Sequence, residues 1–128
     1  MTDRQYPPPG VGIRRGSEVV SLSHLDKGST GVVVGGEPEP VTGNVWVCWG
    51  SQSTLGSPIQ WHPSTLALDP TTVTGQQHAA LWLLSGEPLN YQSPGEMRWV
   101  EAWALRGKAD PAQLTALMWR LYEEVQRG

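Results

Sequence analysis

The sequence contains no phenylalanine and only one cysteine. A single thiol, Cys48, excludes an intramolecular disulfide, so the fold has to be held together by packing. Because seven tryptophans stand beside the missing phenylalanine, tryptophan must supply most of the aromatic core. A chain of 128 residues can bury a core without a disulfide or a structural metal.

Long apolar runs and clusters of positive charge are also scarce. No run approaches the ~20 apolar residues that span a bilayer, and the first residues lack the apolar segment of a signal peptide. We therefore expect a cytoplasmic protein with no membrane contact. The net charge is −3, and Arg14-Arg15 is the one adjacent basic pair. A protein that binds phosphates shows clustered Lys and Arg, so this balance favours a protein partner over nucleic acid.

The first 70 residues predict a Pro-rich arm followed by a small β-barrel. Residues 1–13 form the arm, in which the prolines favour an extended polyproline conformation. It is either a stiff lead-in or a segment that docks on a partner. Residues 14–70 contain five short apolar stretches separated by turn-forming residues, at 17–22, 32–34, Val45–Trp49, 59–62 and 67–68. Short strands at this spacing are typical of a small closed or half-closed barrel.

Residues 71–128 predict three helices, each opened by a capping box. The expected N-cap residues are Thr74, Ser93 and Asp110, each with Glu or Gln three positions later. The predicted helices cover about 75–85, 94–106 and 111–126. The third carries a continuous apolar stripe formed by Leu114, Leu117, Met118, Leu121, Tyr122 and Val125. This stripe faces either the core or an oligomer seam. The fold class is α+β, with a five-stranded small barrel packed on a three-helix module in a monomer.

The barrel region has a recurring order of glycine, valine and tryptophan. Its motifs are Gly16-x-Glu18-Val-Val, Gly28-x-x-Gly31-Val-Val-Val, Val45-Trp-Val-x-Trp49 and Trp61-His-Pro-x-x-Leu66. Over residues 14–69 this order resembles a Src-homology-3-like barrel of the KOW/Tudor kind. The resemblance implies an adaptor, because such barrels occur in transcription, translation and chromatin-binding proteins, in phage structural proteins and in accessory subunits of enzymes. The Pro-rich stretch at 35–44 departs from the short hairpin of a KOW unit.

The residues able to do chemistry do not form a recognisable constellation. His24, His62 and His78 are not spaced as metal ligands, and Cys48 sits in an apolar strand. A zinc site built from His62, His78 and Cys48 is the alternative. The chain has neither a nucleophile elbow nor a phosphate-binding loop. We therefore expect no enzymatic activity, no catalytic residue, no metal and no cofactor.

The tryptophans are the best candidates for a functional surface. Side chains alternate along a strand, so within Val45–Trp49 the residue Trp46 points away from the face shared by Val45, Val47 and Trp49. Trp46 is either covered by the helices or left for a partner. In the second case it could form an aromatic groove with Trp61 and Tyr6 that receives an extended peptide or stacks bases.

These patterns lead to one functional expectation with two alternatives. We expect a non-catalytic binding or assembly protein that engages another protein. One alternative, which the resemblance implies, is a nucleic-acid or transcription-machinery adaptor that uses Arg14, Arg15 and the aromatic residues of the barrel. The other is an accessory subunit of an enzyme complex. Trp99 lies off the apolar stripe of the second helix, so it either closes the barrel–helix interface or binds a partner. The predicted partner-binding residues are Trp46, Trp61, Tyr6, Trp99, Arg14 and Arg15.

Overall fold

A computed structural model describes residues 5–23, 27–35, 38–50, 58–85 and 94–127. A curled five-stranded antiparallel sheet, in effect a half-barrel, precedes three helices, which confirms the predicted α+β class. The strands are β1 (Glu18–Ser21), β2 (Thr30–Val34), β3 (Val45–Trp49), β4 (Ile59–Trp61) and β5 (Leu66–Leu68). The helices are α1 (Val73–Ser85), α2 (Pro94–Leu105) and α3 (Pro111–Arg127).

The strand order in the sheet is β4-β3-β2-β1-β5. The first four strands follow one another as neighbours, and a 3-10 helix at Pro63–Thr65 then leads into β5. β5 returns to pair with β1, with Val19 opposite Leu68. The last strand of the sheet therefore lies beside the first, and the sheet curls around a shared inner face.

The inner face of the sheet is built from alternate residues of each strand. In β3, Val45, Val47 and Trp49 are buried while Trp46 is exposed, so the predicted alternation is confirmed. Gly31 lies opposite Trp49 in β2, and a Cβ there would come within 2.8 Å of both Trp49 and Val47 side chains. Glycine at this position lets the large indole ring reach the core. The inner cluster comprises Val19, Val33, Val45, Val47, Trp49 and Leu66.

The sequence pattern predicts the N-cap of α3 correctly and places the N-cap of α1 at the wrong residue. In α3, Asp110 Oδ1 accepts from the N–H of Ala112 at 3.0 Å, as predicted. In α1, the oxygen that accepts from the N–H of Gly75, at 3.0 Å, is Thr72 Oγ1. The cap is therefore Thr72 rather than the Thr74 that the sequence pattern predicts. The expected cap at Ser93 lies outside the described residues.

The third helix turns its apolar stripe toward the core. Leu114, Met118 and Leu121 are buried in one cluster with Val100 and Ala104 of α2. The cluster also includes Leu68 of β5, Ala79, Ala80 and Leu83 of α1, and Ala109. The remaining stripe residues, Leu117, Tyr122 and Val125, are half-buried. No helix in the described ranges is long and apolar enough to cross a membrane.

The N-terminal arm packs against its own chain. Pro7 and Pro8 are fully buried. The indole N–H of Trp119 in α3 donates to the carbonyl oxygen of Tyr6 at 2.7 Å, and the N–H of Gly10 donates to that of Leu66 at 2.8 Å. The described part of the arm is therefore held on its own chain by these contacts, and its docking on a partner stays a prediction. It joins β5 to α3.

Trp119→Phe should loosen the arm, because it removes the indole donor and leaves most of the ring in place. We expect the free energy of unfolding to fall by about 1 kcal/mol, the usual contribution of one hydrogen bond. Urea denaturation measures the change. Trp103→Phe removes the same atoms from another half-buried tryptophan, whose ring packs against Trp99. Equal losses in the two variants would show that ring area, not the bond to Tyr6, is what matters.

Candidate protein-binding surfaces

Trp46 lies on the outer face of the sheet. It stands between Val34 of β2 and Gln60 of β4, and it is 37% exposed. The neighbouring cross-strand pair on the same face is Val32 with Cys48, and Val32 is 38% exposed. Trp46 does not belong to the core cluster formed by the helices. It is therefore exposed on the sheet rather than covered by the helical module. We call Val32, Val34, Trp46 and Cys48 the outer patch.

The outer patch is bordered by acidic and neutral groups. Glu18 of β1 pairs with Val32 at one end of the first row, and Gln60 pairs with Trp46 at the end of the second. None of the five strands contains a lysine or an arginine. An apolar surface with an aromatic residue and little charge suits the core of a protein interface, whereas phosphate binding requires clustered cations.

Trp61 faces the opposite side of the sheet from Trp46. It pairs with Val45, and its ring meets that of Trp49 edge to face at a centroid distance of 5.1 Å. The indole N–H groups of Trp49 and Trp61 are buried and have no acceptor among the residues that the structure describes, so the contact between the two rings is one of packing. Tyr6 lies beside Trp119 on α3. The structure therefore does not bring Trp46, Trp61 and Tyr6 into the single groove that the sequence suggested.

Trp99 lines a cavity between α2 and α3. Its ring packs against Trp103 at a centroid distance of 4.9 Å. The cavity has a volume of about 500 Å³, and Leu117, Ala116 and Arg120 of α3 line its other side. Trp99 is half-buried there, so part of its ring is accessible from this cavity.

A second cavity, of about 690 Å³, contains Tyr6 and Trp119. Ala116 and Arg120 line this cavity as well as the first, so the two cavities flank the same stretch of α3. The structure thereby places two predicted site residues, Tyr6 and Trp99, on either side of one helix. Their role in binding a partner stays a prediction.

Arg14 and Arg15 are both exposed on the segment that leads into β1. The backbone N–H of Arg14 donates to Ser17 Oγ at 2.8 Å. The charge of Arg14 also acts on His78 of α1, where it adds to the effect of burial in lowering the pKa of the imidazole. Arg14 is therefore associated with α1, and neither arginine belongs to the outer patch.

Ser17 and His78 form a contact that the sequence pattern does not predict. Ser17 Oγ lies 2.7 Å from His78 Nδ1, the separation of a nucleophile and its base. Ser17 is nevertheless fully buried, so a substrate cannot reach its hydroxyl. The pair is a structural contact between the segment before β1 and α1. Its members are 61 positions apart and belong to no motif, so no local signal could have revealed it.

His62, His78 and Cys48 do not assemble the zinc site given as an alternative, and His24 lies outside the described residues. His78 Nδ1 contacts Ser17, while His62 Nδ1 contacts Ser64 Oγ at 2.8 Å. Within the described part of the chain, no group of three or more His, Cys, Asp or Glu side chains could hold a metal ion. The expected absence of catalytic activity and cofactors stays a prediction.

Neither a protein-family model, nor a curated protein, nor a solved structure matches this chain.

Proposed function

We propose that this protein is a non-catalytic binding or assembly protein that engages another protein in the cytoplasm. The outer patch carries the proposal. Trp46 and Val32 are exposed on a hydrogen-bonded sheet, in adjacent cross-strand rows with Val34 and Cys48. A tryptophan held on a rigid element loses little conformational freedom on binding and is a frequent hot spot of protein interfaces. The lack of basic residues in the strands supports a protein rather than a nucleic acid as the occupant.

We further propose that the curled sheet is a Src-homology-3-like barrel acting as an adaptor module. Two features support this. The order of glycine and valine from Gly16 to the end of β2 resembles that of such a barrel, and β5 pairs back onto β1 after the 3-10 helix. The cavities beside Trp99 and Tyr6 give the helical module a second surface for the same or another partner.

Trp46→Ala should weaken binding of the protein partner by about 2 kcal/mol, roughly 30-fold in Kd. The partner is first identified by affinity capture from the native host, and its affinity is then measured by titration calorimetry. Leu105→Ala is the matched control, since Leu105 is an exposed apolar residue of α2 outside the outer patch, at 62% exposure. Unchanged affinity of a folded Trp46→Ala variant would remove the outer patch from the proposal.

A nucleic-acid adaptor is the second candidate, and the exposed pair Arg14-Arg15 favours it. The same titrations at two salt concentrations separate the candidates. A protein interface centred on Trp46 should tolerate the double change Arg14→Glu and Arg15→Glu and should depend weakly on salt. A phosphate-binding surface would lose binding in this double variant, and wild-type affinity would fall steeply with salt. In that case Trp46→Ala would remove only a stacking contribution of about 1–3 kcal/mol.

A further inference from the structure

Ser17 connects the segment before β1 to the middle of α1 through contacts of its side chain. Its side chain is fully buried and accepts the backbone N–H of Arg14 at 2.8 Å. The same oxygen lies 2.7 Å from His78 Nδ1. Because the hydroxyl already accepts one bond and is fully buried from solvent, its hydrogen is best used as a donor to Nδ1. This arrangement assigns His78 as the neutral imidazole with its proton on Nε2.

Protonation of His78 disrupts this arrangement. Nδ1 then carries a hydrogen, so the imidazole and the Ser17 hydroxyl are both donors, and the serine hydrogen loses its acceptor in a buried place. The positive imidazolium also faces Arg14 of the segment before β1. Arg14 is the charged group that acts on the ring, and the residues one turn away on α1, Thr74 and Trp82, are uncharged. Burial, and secondly the charge of Arg14, lower the pKa of His78 below its ordinary value of 6.5.

We propose that the Ser17–His78 contact stabilises the packing of the sheet against α1 in a pH-dependent way. The contact is intact at neutral pH and is weakened in acid. The segment that it holds is packed closely along α1. Gly12 illustrates this, because a Cβ there would come within 3.2 Å of Trp82 and 2.8 Å of Leu68. Release of the Ser17–His78 contact therefore loosens a junction that joins β1, β5 and α1.

The direction of the effect follows from proton binding. Well above pH 6.5 His78 is neutral in both the folded and the unfolded chain, and the contact contributes fully. As the pH falls below 6.5, the unfolded chain takes up a proton before the folded one, so stability decreases. The loss continues until the pH reaches the lower pKa of the folded state. Within this window the folding equilibrium constant should fall by up to about tenfold per pH unit.

Urea denaturation between pH 5 and pH 8 tests the proposal with three proteins. His78→Gln removes the titrating group. His62→Gln is the matched control, because His62 makes the same Nδ1 contact to a serine, at 2.8 Å, on the exposed surface. We expect the wild type and His62→Gln to lose stability on acidification more steeply than His78→Gln. Parallel profiles for the wild type and His78→Gln would overturn the proposal.

Titration of the His78 ring by NMR gives a second test that does not need the His78→Gln variant to fold. In the wild type the resonance should titrate below pH 6.5. In Arg14→Gln, which removes the facing charge and keeps the backbone bond to Ser17, the pKa of His78 should move upward. A wild-type resonance that titrates at or above pH 6.5 would overturn the proposal.

Discussion

Leu121→Ala is expected to lower the free energy of unfolding by about 2–5 kcal/mol, the range measured for leucine truncations in a packed core. Leu121 is 1% exposed and lies in the helix cluster with Met118 and Val100. Truncation removes buried apolar surface and leaves a cavity that α1 and α2 can fill only in part. A domain of this size has a total stability of about 5–15 kcal/mol, so this one change threatens folding at physiological temperature.

Alanine substitutions of two less buried leucines provide a comparison for the loss of stability in Leu121→Ala. Leu117 lies on the same helix but is half-buried and lines the cavity beside Trp99, so Leu117→Ala should cost less. Leu105 is 62% exposed, and Leu105→Ala should cost no more than about 0.5 kcal/mol. Urea denaturation of the three variants gives the ranking. Equal midpoints for Leu121→Ala and the wild type would show that α3 does not contribute its stripe to the core.

The sequence alone predicted the features that depend on one periodic pattern. In β3 a period of two separates Val45, Val47 and Trp49 from Trp46, and the structure buries the first three and exposes the last. In α3 a helical period places Leu114, Met118 and Leu121 on one side, and the structure buries that side. Such patterns are readable because burial of one face imposes them on consecutive residues.

The contacts between distant segments could not be read in this way. The hydrogen bond from Trp119 to Tyr6 joins residues 113 positions apart. The sequence around either residue does not predict the other as its partner. The opposite placement of Trp46 and Trp61 depends on the register of β4 against β3, in which Val45 pairs with Trp61. A shift of that register by one residue would have placed both tryptophans on one face. The geometry of a predicted site therefore depended on a pairing that the strands' own sequences leave open.

The position of the N-cap of α1 also depends on a contact that the local sequence pattern does not show. Thr72 and Thr74 are both suitable caps, and the capping-box pattern favours Thr74. The turn before the helix decides otherwise. Asp69 Oδ1 accepts from the backbone N–H of Thr71 at 2.9 Å and from its hydroxyl at 2.6 Å. This turn brings the carbonyl oxygen of Asp69 close over the first turn of the helix, where Gly75 leaves room for it.

Gly75→Ala should therefore destabilise the protein by about 3 kcal/mol, the upper end of what overpacking commonly costs. Helix propensity alone predicts the opposite, a gain of about 1 kcal/mol, because alanine is the better helix former. The steric effect should win, since a Cβ on Gly75 would lie 2.7 Å from Thr72 Oγ1 and would overlap the carbonyl group of Asp69, which belongs to the backbone and cannot rotate away. Gly50→Ala is the matched control, because the added Cβ would lie 3.5 Å from the carbonyl oxygen of Thr30, an ordinary contact. Urea denaturation of both variants measures the difference. A Gly75→Ala variant as stable as the wild type would show that the turn at Asp69 can yield, and that the cap at Thr72 is not fixed by it.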